Sequence, residues 1–95
     1  MLYQISYELK AENKDYTPLY AAIKKMGEWQ HPLETVWYVI TDASMSELYY
    51  NLMGTIEQKT DKLIISSITV INSGGRAPSE FWEWIKKSMK HDNKS

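Results

Sequence analysis

The stretch Leu2-Tyr3-Gln4-Ile5-Ser6-Tyr7-Glu8-Leu9 limits the fold of this chain more than any other. Tyr3, Ile5, Tyr7 and Leu9 alternate with Gln4, Ser6 and Glu8. A period of two is that of a β-strand with one apolar and one polar face. The apolar face requires a helical layer to cover it. The polar face carries an acid, Glu8, at the strand's C-terminal end, where a loop begins. Any chemistry in the chain is expected to start there.

The rest of the chain supplies that layer. Thr17-Pro18 reads as a helix start, a hydroxyl cap followed by proline in the first turn. Leu19, Ala22, Ile23 and Met26 recur at helical spacing, and Gly27 ends the run. Pro32 lets residues 28–34 be only an edge strand or an extended arm, and His31 before it reads as a loop residue. Thr35–Thr41 predicts a strand with Val36, Tyr38 and Ile40 on one face and Trp37 and Val39 on the other. Apolar residues on both faces imply partial cover on both. Ser44-Met45-Ser46-Glu47 matches a capping box. It opens a helix with Met45, Leu48, Tyr49, Leu52, Met53 and Ile56 on one core stripe, fading around residues 58–60. Lys62–Ile71 predicts a third clear strand, and Pro78 opens a last helix bearing Phe81, Trp82, Ile85 and Met89. Residues 91–95 are expected to fray.

This order predicts an α+β chain of the split β-α-β, ferredoxin-like type. An antiparallel sheet carries helices on one face, and a C-terminal helix is added. Ninety-five residues make one domain, with a core over about 2–71 and the added helix over about 78–90. The face bearing Gln4, Ser6 and Glu8 is expected to be open or closed by a second subunit. Four Trp and seven Tyr against a single Phe favour burial of some amphipathic aromatics in an oligomer.

Composition excludes several function classes. With no cysteine, disulfides and thiolate metal sites are ruled out, and a cytoplasmic home is compatible. No apolar run nears the ~20 residues of a membrane span, and the N-terminal residues predict no signal peptide. A net charge of -1 argues against a broad duplex-gripping surface, though local basic clusters remain.

Tyr3-Gln4-Ile5-Ser6-Tyr7-Glu8-Leu9 resembles the opening strand of the small CRISPR-associated adaptation protein family, whose superfamily also includes the virulence-associated protein D toxins. Val36-Trp37-Tyr38-Val39-Ile40 and Asp61-Lys62-Leu63-Ile64-Ile65 fall where that pattern places later strands. The resemblance covers about residues 2–71 and leaves out the tryptophan-bearing last helix. It implies a ferredoxin-like fold and a homodimer formed through open sheet faces. It also implies either a structural, nucleic-acid-holding role or a nuclease in which two first-strand aspartates share a divalent metal. Glu8 matches that aspartate with one extra methylene. Glutamate can bind Mg²⁺ or Mn²⁺, but the added bond displaces the charge from a site tuned for in-line attack and argues against cleavage.

Each candidate residue has a plainer alternative. Glu8 is a metal ligand or general base at a dimer axis, or a solvated acid paired with a lysine. Ser6, Ser66 and Ser67 are nucleophiles only with a base, and His31 and His91, the two histidines, sit in no recognised motif. Gly74-Gly75-Arg76 wraps an anion or acts as a hinge. Lys24, Lys25, Arg76, Lys86, Lys87 and Lys90 track a phosphate backbone or, for the lysines, suit helix C-termini. Trp82 and Trp84, two apart, cannot share one helical face, so one is expected to leave the main core.

Overall fold

The structure, a computed structural model, describes residues 1–69 and 74–92, with side chains up to residue 87. Seven elements follow in order: β1 Leu2–Glu8, α1 Thr17–Lys25, β2 Glu28–Leu33, β3 Val36–Ile40, α2 Met45–Met53, β4 Lys62–Ile68 and α3 Ser79–Asp92. The sheet order is β2-β3-β1-β4, and every neighbouring pair is antiparallel. Each strand-helix-strand unit therefore skips one strand, which is the split β-α-β ferredoxin-like arrangement. The opening strand is central, as its length of alternation requires.

The apolar side of β1 is covered as its pattern demands. Tyr3, Ile5 and Tyr7 pack with Trp37 and Val39 of β3 beneath Leu19 and Ile23 of α1 and Leu48 and Leu52 of α2. Each such aliphatic side chain, fully removed from water, contributes roughly 1.5–3 kcal/mol. The two tyrosines also find partners for their hydroxyls. Tyr3 donates to the carbonyl of Ala43 at 3.1 Å. Tyr7 donates to the carbonyl of Glu34 at 3.0 Å and accepts from Trp37 Nε1 at 2.9 Å. Three segments are thus tied through one buried phenol.

The last helix crosses to the opposite side of the sheet. Leu2 lies in register with Ile40 and Ile68, and that row is capped by Phe81 and Ile85 of α3, with Tyr38 beside them. The polar face is therefore not open along its whole length: α3 closes the end around Leu2. The row two pairs further on is exposed at its two ends and half-buried between them. Leu33, Val36, Ser6 and Ile64 follow one another across the four strands, and Ile64 and Leu33 are 65% and 54% exposed.

Several local expectations need correction. Thr17 does not cap α1; its backbone N–H and its hydroxyl both turn back to Asp15 Oδ1, and Tyr16 occupies the cap without a side-chain bond. The capping box of α2 forms as expected, but the helix stops at Met53 rather than near Gln58. Its buried stripe narrows to Leu48, Leu52 and Ile56, while Met45 and Tyr49 are 41% and 49% exposed. A helix of nine residues offers the sheet only one row. Glu28–Leu33 is an edge strand, with Pro32 at a register shift between Gln30 and Leu33. His31 is therefore a strand residue, not a loop residue. β4 ends at Ile68 with Thr69 in a bend, and the expected continuation through Val70 and Ile71 lies outside the described residues. α3 extends through His91 to Asp92, and the rest of the stretch expected to fray, residues 93–95, lies outside the described residues. Trp82 and Trp84 are both half-buried against the Leu2–Phe81–Ile85 cluster.

Gly27 is demanded by a close approach. A Cβ at this position would overlap the carbonyl oxygen of Ile40 on β3. The chain leaves α1 and drops directly onto the sheet edge, which no side chain here permits.

Candidate functional site

β1 delivers Glu8 to the end of the sheet, opposite Lys62 on β4. Its side chain is 54% exposed and its Oε1 lies 2.7 Å from Lys10 Nζ. The hydrogen bond from Lys10, then the charges of Lys10 and Lys62, hold the carboxyl below its ordinary range. At neutral pH it is an ionised acid between two cations, a weak base for proton abstraction. A divalent ion here would have to displace Lys10 and draw a second carboxylate from another copy of the chain. Among the described residues no group of three or more His, Asp or Glu could hold a metal.

The serines do not assemble a nucleophile. Ser6 and Ser66 lie on the face away from α1 and α2, and Ser67 lies on the other, opposite Tyr3. His31 sits on the helical side, stacked on Trp37 with ring centroids 3.8 Å apart. Its Nε2 lies 3.1 Å from the Glu34 carbonyl, which can only accept, so that nitrogen carries the proton. The side chain of His91 lies outside the described residues.

Asp61 is the buried carboxylate that sequence reading passed over. It is 7% exposed. Its Oδ1 accepts from the backbone N–H groups of Lys10 and Ala11 at 2.7 and 3.2 Å and from the Thr60 hydroxyl at 3.3 Å. Its Oδ2 accepts from the Tyr16 hydroxyl at 2.6 Å and from Glu57 N–H at 2.8 Å. Burial pushes its pKa up, but these donors outweigh it and bring the value down to about 2. The residue joins the β1–α1 loop to the turn before β4. With both oxygens occupied it has no free lone pair aimed at solvent, so its role is to hold the loop that follows Glu8. In the sequence it is one acid before a strand, and only Tyr16, 45 positions away, hints at more.

The basic candidates are divided by the sheet. Lys24 and Lys25 end α1, and Lys24 Nζ stands 5.1 Å from the Trp29 ring. Lys86 and Lys87 are exposed on α3, on the other side; the Lys90 side chain lies outside the described residues. Arg76 is exposed at the mouth of a cleft of about 150 Å³ between β2, β3 and the start of α3. A broader hollow of about 400 Å³ lies beside Tyr7, Tyr20, His31 and Glu34. There, Tyr7 and His31 both already bond the Glu34 carbonyl.

No helix among the described residues is long and apolar enough to cross a membrane. No protein-family model matches the chain, and no curated protein matches it. Among solved structures, the chain is similar to the crystal structure of a hypothetical protein, TT1823, from Thermus thermophilus. The TM-score is 0.62 at 18% sequence identity, covering 81% of this chain and 93% of that one. At that identity the likeness is one of fold: the chain shares its ferredoxin-like architecture with a hypothetical protein from Thermus thermophilus.

Proposed function

We propose that the chain is a homodimeric ferredoxin-like module that holds nucleic acid or a protein partner without cutting it, as the resemblance to the CRISPR-associated adaptation family implies. The observation that carries this reading is the row Leu33–Val36–Ser6–Ile64, exposed at its two ends. Three apolar side chains of four, with Ile64 65% exposed, face away from the helical layer, and α3 comes near only the Leu33 end of the row, at the cleft it shares with Phe81 and Trp82. A second copy laid on the same row would bury apolar surface on both partners, as a two-fold interface requires. The pairing of Glu8 with Lys10, which a bridging metal would have to displace, favours holding over cleavage. A chain without cysteine suits a reducing compartment such as the cytoplasm.

Sedimentation equilibrium at micromolar concentration tests the dimer. The parent chain should sediment as a dimer and Ile64→Lys as a monomer with unchanged circular dichroism. A parent chain that stays monomeric refutes the reading. Incubation of single-stranded RNA and duplex DNA with Mg²⁺ or Mn²⁺ tests the rest: cleavage lost in Glu8→Ala would replace it with a metal-dependent endonuclease.

A further inference from the structure

The cleft beside Arg76 is built differently from the rest of the surface. Phe81, 4% exposed, is the immobile centre of an aromatic trio. Its ring lies 5.0 Å from Tyr38 and 5.1 Å from Trp82, tilted by 51° and 68°. Those two outer rings are only half-buried and, with Leu33, form the cleft's walls. Phe81 thus holds two other aromatic rings in place while part of each stays accessible. The Tyr38 hydroxyl accepts from Gln4 Nε2 at 3.2 Å, which leaves its own proton for an acceptor in the cleft. At the mouth stands Arg76, which forms no ion pair with a described residue. It follows Gly75, whose φ of +142° lies where other residues rarely go. A Cβ on Gly74 or Gly75 would meet no atom of a described residue within 4 Å.

These parts share one chemistry. Aromatic faces and a planar cation stack on planar rings, and a guanidinium binds phosphate. The volume of about 150 Å³ is below the ~300 Å³ of a pocket for a drug-sized ligand; it suits one ring system. The net charge of -1 gives no broad field to grip a duplex, so affinity here has to come from stacking, which an unpaired base offers and a paired one does not. We infer that this cleft docks one unstacked nucleotide, its base against Trp82 and Tyr38 and its phosphate at Arg76. The inference deepens the nucleic-acid arm of the proposed function and gives it a substrate class: single strands.

The test is fluorescence anisotropy of labelled octauridylate and octathymidylate with the parent chain, Arg76→Ala and Trp82→Leu. Circular dichroism verifies each fold, and Arg76, being exposed, is not expected to disturb it. Trp82→Leu should weaken binding roughly tenfold, the effect of losing one stacked base. Arg76→Ala should weaken it and lower the slope of log affinity against log salt by about one unit. Uridine monophosphate should compete and inorganic phosphate should not, and a duplex should bind more weakly than either single strand. Single-strand binding that both variants leave unchanged would overturn the cleft while sparing the module reading. Saturable binding of uridine monophosphate lost in Arg76→Ala, with no oligonucleotide binding, would keep the cleft and overturn the nucleic-acid-holding module. Phosphate competing as well as the nucleotide would reduce the site to an adventitious anion contact and overturn the inference.

Discussion

Replacing Asp61 by Asn isolates the charge of a buried acid while preserving its shape. An amide keeps a single acceptor oxygen. It can face Lys10 and Ala11 N–H or Tyr16 and Glu57, but its NH₂ then opposes donors on the other side. Hydrogen bonds to a charged group contribute about 1.5–3 kcal/mol each and are not additive, so losing one side should cost about 3 kcal/mol. Linkage gives a similar figure. A carboxyl lowered from its ordinary 3.8 to about 2 is worth roughly 2–3 kcal/mol when ionised. Against a total of about 5–14 kcal/mol for a chain of this length, that is a large share. Because the folded value is the lower one, this stability is complete above about pH 4 and is lost as pH falls through about 2. Urea unfolding followed by tryptophan fluorescence at pH 7 and at stepwise lower pH measures it. The midpoint should drop with an unchanged m-value, and the gap between parent and variant should narrow with acid. A loss under about 1 kcal/mol at pH 7, or a gap that persists at the acid end, would refute the knot.

Two further substitutions test the scaffold. Gly27→Ala drives a methyl into the Ile40 carbonyl and should cost about 1–3 kcal/mol or more, whereas Gly54→Ala meets nothing and should be neutral or gain about 0.4–1 kcal/mol; thermal unfolding of the pair decides. Tyr7→Phe strips the buried Trp37 Nε1 of its acceptor and should cost about 1–3 kcal/mol; an unchanged urea midpoint would contradict the role given to that phenol.

Alternation in β1 and the capping box of α2 were legible because each is a local rule satisfied by local residues. Ser44 and Glu47 need only each other. The α+β class followed from their order. The placement of α3 was harder to read, although Leu2 carried the sign: an apolar residue in phase with Gln4 and Ser6 asks for cover on the nominally polar face. Thr17 did not cap α1 because Asp15, two residues back, accepts both its N–H and its hydroxyl and draws it into the first turn behind Tyr16. Of the candidate site, Glu8 sits at the end of β1 with a lysine beside it, one of the two alternatives its sequence position allowed. Asp61 stayed hidden because its donors come from two loops far apart in the chain, and no spacing rule joins residues 10, 11 and 16 to residues 57 and 60. Arg76 was picked out by its glycine neighbours, but its aromatic companions come from β3 and α3, which only the tertiary fold brings together.

The central position of β1 has a consequence for synthesis. β1 precedes in the chain every partner it needs: β3, then β4, then α3 over Leu2. Its greasy tyrosines and isoleucine must wait, unpaired on both edges, until β3, β4 and α3 have been made, a delay that distant contacts impose. Truncation before residue 79 would release an N-terminal strand whose Leu2 end has lost its lid, and such nascent products are natural clients for holdase chaperones.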